Sequence, residues 1–224
     1  MSRAHRDAEV YCGVAGTRST AQRSILTRLM TDPAYASRVL RYLVGLPTPL
    51  NTTDRRVLET TVFEYFRSSP DIRSVLFVGC DWYTRHYDRA YFGSKNYWTL
   101  DPAASARKFG ARRHVIAGLE DLGRHFPARY FDLIICNGVY GYGLDTRDQC
   151  ERAFDECYRA LSPGGQLVLG WDDIPRRTPV PLDKIESLRR FTKHEFPPLG
   201  TWHYVTNTPY RHTYDFYRVA LHLA

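Results

Sequence analysis

At 224 residues, with 43% hydrophobic, 14% aromatic and 25% charged side chains, the chain is long enough to bury one substantial core and too aromatic to stay disordered. No apolar run approaches the ~20 residues of a membrane span, and no apolar stretch follows Met1-Ser2-Arg3 as a secretory leader requires. A formal charge of +7 invites a nucleic-acid reading, but only four of the 31 basic residues are lysines and no basic run exceeds two, as at Arg55-Arg56 and Arg189-Arg190; the excess reads as arginine-rich coding bias on solvated helix faces.

Five cysteines, an odd number without framework spacing, fit a reduced, cytoplasmic compartment. Along the chain, 1–20 lacks periodicity and reads as a flexible N-terminus. Residues 21–73 read as a helical cover. Ile25, Leu26, Leu29 and Met30 are followed after Asp32-Pro33 by Tyr35, Val39, Leu40 and Leu43, and a third helix, capped by Asp54, carries Val57, Leu58, Thr61, Val62, Tyr65 and Phe66 on one face before Pro70 stops it.

From residue 74 the period changes. Ser74–Val78, Tyr97–Leu100, His114–Ala117, Phe131–Cys136 and Gly165–Trp171 are short apolar runs of the kind buried on both faces of a parallel sheet. Between the last two, Asp145–Leu161 predicts a helix with Cys150, Ala153, Phe154, Cys157 and Leu161 inward, so Cys150 and Cys157 are packing residues, not a metal pair. A helix is predicted near Leu182–Phe191, and Trp202–Thr206 with Thr213–Leu221 predicts an antiparallel pair. The fold class is α/β, an open, mostly parallel Rossmann-like sheet over 74–224 closed by a C-terminal antiparallel hairpin.

Ligands of such sheets sit at the carboxyl ends of the strands. Gly79 ends the first strand, where the backbone can approach a ligand, and Asp101 ends the second, 22 residues on, near the ~20-residue offset of a ribose-binding acid. Asp101 before Pro102 also reads as a cap of the next helix, and Asn137 as a residue that satisfies loop backbone groups. The tyrosines 83, 87, 140, 142, 204 and 210 gather at one predicted rim and read either as packing residues or as an aromatic pocket.

Here the sequence resembles the class I S-adenosylmethionine-dependent methyltransferases, roughly from Val75 to Ala220. The resemblance rests on Val75-Leu76-Phe77-Val78-Gly79-Cys80, Leu100-Asp101-Pro102, the run Phe131 to Asn137, and most specifically Leu161-Ser162-Pro163-Gly164-Gly165 before a strand. It implies a seven-stranded sheet, S-adenosylmethionine as cofactor and S-adenosylhomocysteine as product. By position it implies that Gly79, Cys80, Asp81 and Trp82 pass the methionine part and that Asp101 holds the ribose. Pro102 would lie against adenine, Leu119 and Glu120 would edge the base, and Asn137 and Gly138 would face the sulfonium. Two departures stand out: Cys80-Asp81-Trp82-Tyr83-Thr84 replaces a glycine-rich first loop, and Gly118 stands where an acid would meet the adenine amine, a place Glu120 or Asp121 can fill.

For proton transfer the candidates are Tyr140, Asp172 and His86, and the helices before Val75 sit where relatives carry a lid. The fourth strand ends Asn137-Gly138-Val139-Tyr140, without the Pro-Pro-aromatic grip for nucleobase amines. The expected acceptor is therefore a small molecule methylated on O or N. An RNA acceptor and a cofactor-binding protein without transferase activity are the alternatives. No metal, membrane or nucleic-acid partner is expected, and a homodimer is compatible with the sequence.

Overall fold

The computed structural model describes Thr27 and residues 30–43 and 50–221. Contacts divide the chain into Met1–Thr48 and Pro49–Ala224. The first unit contributes one described helix, α1 (Pro33–Leu43), whose Tyr35 amide is received by the Asp32 carboxylate. The segment 1–20 and most of the helix expected at Ile25–Met30 lie outside the described residues. The division falls within the 21–73 segment and groups the helix after residue 52 with the sheet.

The second unit is a sheet of strands β1 (Ser74–Val78), β2 (Asn96–Asp101), β3 (His114–Ile116), β4 (Phe131–Asn137), β5 (Leu161–Asp172), β6 (Thr192–Lys193), β7 (His203–Val205) and β8 (His212–Arg218). Their order is β3-β2-β1-β4-β5-β8-β6, with β7 also on β8. Strands β1 to β5 pair in parallel, and β8 runs antiparallel to β5. Because β6 pairs with β8 at 217–218 and β7 with β8 at 213–215, they share one edge, and the sheet is seven positions wide. The fold is the expected Rossmann-like α/β sheet with its antiparallel C-terminal pair.

Strand alternation sorts the side chains into two cores. On one face Leu76, Val78, Ile134, Cys136, Leu167 and Leu169 pack under α3 (Arg147–Ala160) through Cys150, Ala153, Phe154 and Cys157. On the other, Val75, Phe77, Leu133, Ile135, Val168 and Phe216 pack under α2, a continuous run of α-helical Thr53–Val57, a π-helical turn Leu58–Val62 and α-helical Phe63–Ser68. Phe63 meets Phe77 edge to face at 6.2 Å, and Phe196 stacks on Phe216 at 4.3 Å. These fully buried rings make α2 part of the core rather than an appendage.

Three local expectations change. The cap of α3 is Thr146, not Asp145: its hydroxyl receives the Gln149 amide while the Gln149 side chain returns to the Thr146 amide, a reciprocal box that Asp145 is one residue too early to make. Asp54 lies inside the first turn of α2 and bonds across space to the Tyr210 hydroxyl, so it caps nothing. The Leu182–Phe191 helix resolves into two short 3-10 turns, Leu182–Lys184 and Ser187–Arg190. Their amides at 186 and 187 are drawn to the Glu151 carboxylate on α3, which competes with a helical ladder.

Candidate active site

The carboxyl ends of β1, β2, β4 and β5 open on one rim, and β8 begins there because it runs the other way. Gly79 follows β1 with φ +88°; a Cβ there would come within 3.0 Å of Val139 and 3.2 Å of the Asn137 carbonyl, so glycine lets the loops after β1 and β4 close on each other. Gly138, at φ +70°, has nothing within 4 Å of where its Cβ would be. The space beside it is open, which makes it the candidate cleft at the carboxyl edge of the sheet.

Asp101 joins the two sides of that cleft. One carboxylate oxygen accepts the Cys80 amide at 2.8 Å and the other accepts the Ala103 amide at 2.8 Å. Asp101 therefore caps its own turn and fixes the first loop, and each oxygen keeps lone pairs for further donors. The loop itself is closed by Thr84, which receives the Asp81 amide, while the Asp81 carboxylate takes the Trp82 amide. Burial pushes the Asp81 carboxyl up. Burial, with the Asp101 charge beside it, pushes the Cys80 thiol up to about 12, which leaves a neutral SH at this position.

On the side expected for adenine, Glu120 and Leu119 are placed differently. The Glu120 carboxylate folds back over Gly118, 2.6–2.8 Å from where a Cβ would stand, so it occupies the region an acid at 118 would fill. Leu119 is instead packed into the core with Leu122 and Phe126, leaving Glu120 and the exposed Pro102 as the accessible pair.

Beside the cleft lies a buried polar network that the sequence did not announce. Asp172 and His212 are directly opposed in the β5–β8 register, and His212 Nδ1 lies 2.6 Å from the Asp172 carboxylate. His212 Nε2 is 3.2 Å from the Asn137 side-chain amide, whose other end lies 3.3 and 3.2 Å from the two terminal nitrogens of Arg55. A guanidinium only donates, so the amide oxygen faces Arg55 and the amide nitrogen donates to Nε2. That leaves the His212 Nδ1–H to donate to Asp172. Asn137 and His212 are 4% exposed, Asp172 6% and Arg55 8%.

Arg55 enters from the first turn of α2. It donates to Tyr83 at 3.2 Å and Tyr87 at 3.4 Å and lies 4.5 Å over the Tyr83 ring. Burial opposes its charge, but the phenolic oxygens of Tyr83, Tyr87 and Tyr214 and the Asp54 carboxylate outweigh it. Tyr87 passes its own proton bond to Glu59 at 2.9 Å, and burial raises the Glu59 carboxyl. At the far end, the half-exposed Tyr142 donates to the second Asp172 oxygen, under the Arg177 guanidinium at 3.8 Å.

Gly170 makes this network possible. It sits between Asn137 on β4 and Tyr214 on β8, and a Cβ there would overlap the Asn137 amide and stand 3.1 Å from His212 Nε2. Gly170→Ala is expected to cost about 1–3 kcal/mol of stability, the usual range for overpacking a filled site. Urea unfolding measures it, and an unchanged midpoint would show that Asn137 and His212 do not need the gap.

Of the proton-transfer candidates, Asp172 is the one the structure brings to the network. Tyr140 is fully buried, edge to face with Trp171, its hydroxyl given to the Val180 carbonyl; burial pushes it up to about 12, and it is a packing residue. His86 packs on Tyr87 and Tyr91, and burial lowers its pKa; Nδ1 is buried without a hydrogen-bond partner. Neither occupies the place expected of it. Arg55 and His212 were missed because nothing local marks them: one lies in an ordinary helix turn and the other opens an edge hairpin.

Among the described residues, no helix is long and apolar enough to cross a membrane and no group of three or more metal-ligating side chains occurs. A methyltransferase domain model matches residues 76–169, which covers β2, β3 and β4 and most of β1 and β5. A search of curated protein sequences finds no match. Similar solved structures include the N-methyltransferase NodS from Bradyrhizobium japonicum WM9 with S-adenosylhomocysteine (18% identity, TM-score 0.59, 84% of this chain and 99% of that one). Others are a TehB-like S-adenosylmethionine-dependent methyltransferase from Corynebacterium glutamicum (18%, 0.52, 83% and 96%) and Burkholderia thailandensis 1,6-didemethyltoxoflavin-N1-methyltransferase (14%, 0.50, 93% and 92%). At these identities the structural likeness is one of fold. The methyltransferase domain match over the central strands, with this strand order, agrees with the class I S-adenosylmethionine-dependent methyltransferase fold that the sequence resembles.

Proposed function

We propose that the chain methylates a small-molecule acceptor at the buried Asn137–His212–Asp172 network, with the cofactor held in the cleft over Gly79, Asp101 and Gly138. The observation that carries this reading is the network itself: polar side chains buried beside an open cleft, ringed by Tyr83, Tyr142 and Tyr210. A group that reaches them has to be small or to protrude. Many surface arginines are meanwhile spent on near neighbours, as in Arg67–Glu64, Arg152–Asp148, Arg159–Glu156 and Arg190–Asp155, which favours solvated faces over a phosphate-binding track.

The residues fit the cofactor. Asp101 retains acceptor capacity for ribose hydroxyls, Glu120 offers a carboxylate for an adenine amine, and Gly79 with Gly138 removes side chains where the chain must come close. Bound S-adenosylmethionine supplies an electrophilic methyl on a sulfonium. The protein's share of the work is alignment and exclusion of water: the Cys80–Trp82 loop is fixed by Asp101, and α2 is pinned through Arg55, Asp54 and Glu59.

Isothermal titration tests the reading. Both S-adenosylmethionine and S-adenosylhomocysteine are expected to bind at one site per chain. Heat from neither would remove it, and salt-sensitive binding and methylation of RNA would replace the acceptor class.

A further inference from the structure

We infer that His212 is the general base of the reaction, oriented by Asp172, and that the acceptor atom is a phenol-like hydroxyl that loses its proton as it is methylated. The inference rests on the acceptor reading above and adds the residue and the chemical class.

The hydrogen-bond order decides the tautomer. Arg55 forces the Asn137 oxygen toward itself, the Asn137 nitrogen faces His212, and the imidazole therefore presents a lone pair at Nε2 and a proton at Nδ1. Asp172 takes that proton bond at 2.6 Å. A neutral imidazole whose Nε2 lone pair is held by the Asn137 amide beside Gly170 and whose N–H lies on a buried carboxylate has the arrangement of a proton acceptor. The groups facing the imidazole are Asp172 from β5, Tyr214 from β8, Tyr210 from the preceding turn and, through Asn137, Arg55 from α2. Arg55 reaches the imidazole only through the Asn137 amide, whereas Asp172 is in direct contact with it.

Asn137 holds the lone pair until an acceptor arrives. An incoming hydroxyl displaces the amide N–H from Nε2, and Asn137, still pinned through its oxygen by Arg55, can donate to the acceptor oxygen as charge develops there. The acceptor oxygen's lone pair forms the new O–CH3 bond while the sulfonium–methyl bond breaks, its electron pair staying on sulfur to give the thioether. The hydroxyl proton passes to Nε2, and Asp172 balances the imidazolium. Amine acceptors do not need this base during transfer. The aromatic rim of Tyr83, Tyr142 and Tyr210 favours a flat ring as the carrier of the hydroxyl.

The probe is 4-nitrophenol, whose phenolate absorbs in the visible, added to the protein saturated with S-adenosylhomocysteine at a pH where the free phenol is mostly protonated. Bound probe is expected to be enriched roughly tenfold or more in phenolate, the effect of a cation forming beside it. In His212→Gln the enrichment should vanish while S-adenosylhomocysteine affinity stays the same. Asp172→Asn, which keeps the shape but not the charge, should lose most of it too and serves if the glutamine variant melts early. Enrichment that survives in both variants, or a wild-type protein that binds S-adenosylhomocysteine but neither binds nor ionises the phenol, overturns the inference. Failure of S-adenosylhomocysteine to bind removes instead the reading on which it rests.

Discussion

Arg55→Ala is expected to destabilise the protein by about 3–5 kcal/mol, the range for removing one partner from a buried charged network. The loss is large because Arg55 holds three elements at once: Tyr83 and Tyr87 after β1, Asn137 at the end of β4, and its own helix α2. Removing it leaves the Asn137 oxygen and two phenols without their donor, in a place where water is excluded. In a unit of this size the shift in melting temperature is on the order of 10 °C. Arg55→Lys separates charge from geometry. Lysine restores the positive charge but cannot give two parallel N–H bonds to the Asn137 oxygen, so it should recover a minor part of the stability and leave the Asn137 amide free to rotate. Full recovery by lysine in urea unfolding would show that Arg55 acts as a point charge.

The fold was legible because its signals are local. The run Ser74–Val78 is the strand as observed, and β2, β3 and β4 extend or trim the predicted runs by one or two residues. Parallel strands buried on both faces cannot hide their apolar continuity. The elements that went astray are those decided by distant partners. The helix expected at Leu182–Phe191 has the right apolar residues, yet Glu151 on another element takes the amides that would continue it. Thr146 outcompeted Asp145 as a cap because Gln149 answers it three residues on, a pattern present in the sequence and passed over.

The site divides the same way. Gly79, Asp101 and Asn137 follow apolar runs, so the carboxyl-end rule of parallel sheets puts them on the candidate rim from spacing alone. Asp172 also follows a strand, but its partner His212 starts a strand of opposite direction, and only the β5–β8 register sets the two side by side. No spacing along the chain encodes a 40-residue approach. Arg55 is harder still, since an arginine in the first turn of an amphipathic helix is ordinarily solvated; the tyrosines that bury it come from a separate loop. Tyr140 shows the reverse error. It stands at a strand end among other tyrosines, but Gly141 follows it at φ +75°, and the chain turns with the ring inward and the hydroxyl on Val180.

Asp101→Ala should weaken S-adenosylhomocysteine binding by about 2–4 kcal/mol, or roughly thirty- to a thousandfold, while leaving the melting temperature of the free protein within a few degrees. Hydrogen bonds to a charged group are worth about 1.5–3 kcal/mol each, and the carboxylate is expected to receive ribose hydroxyls in addition to the Cys80 and Ala103 amides it already holds. Part of the loss comes from the loop. Without Asp101 the Cys80 amide has no acceptor, so the cofactor must order Cys80 to Trp82 as it binds. Asp101→Asn dissects the two effects. Its side-chain oxygen can still receive the Cys80 amide, so the loop keeps its anchor, but the second arm now donates where a ribose hydroxyl would donate, and the charge is gone. Affinity for asparagine between those of alanine and wild type assigns the two roles to Asp101. An asparagine variant that binds as tightly as wild type would reduce Asp101 to a loop anchor, and an alanine variant with unchanged affinity in the same titration would take the ribose away from β2 altogether.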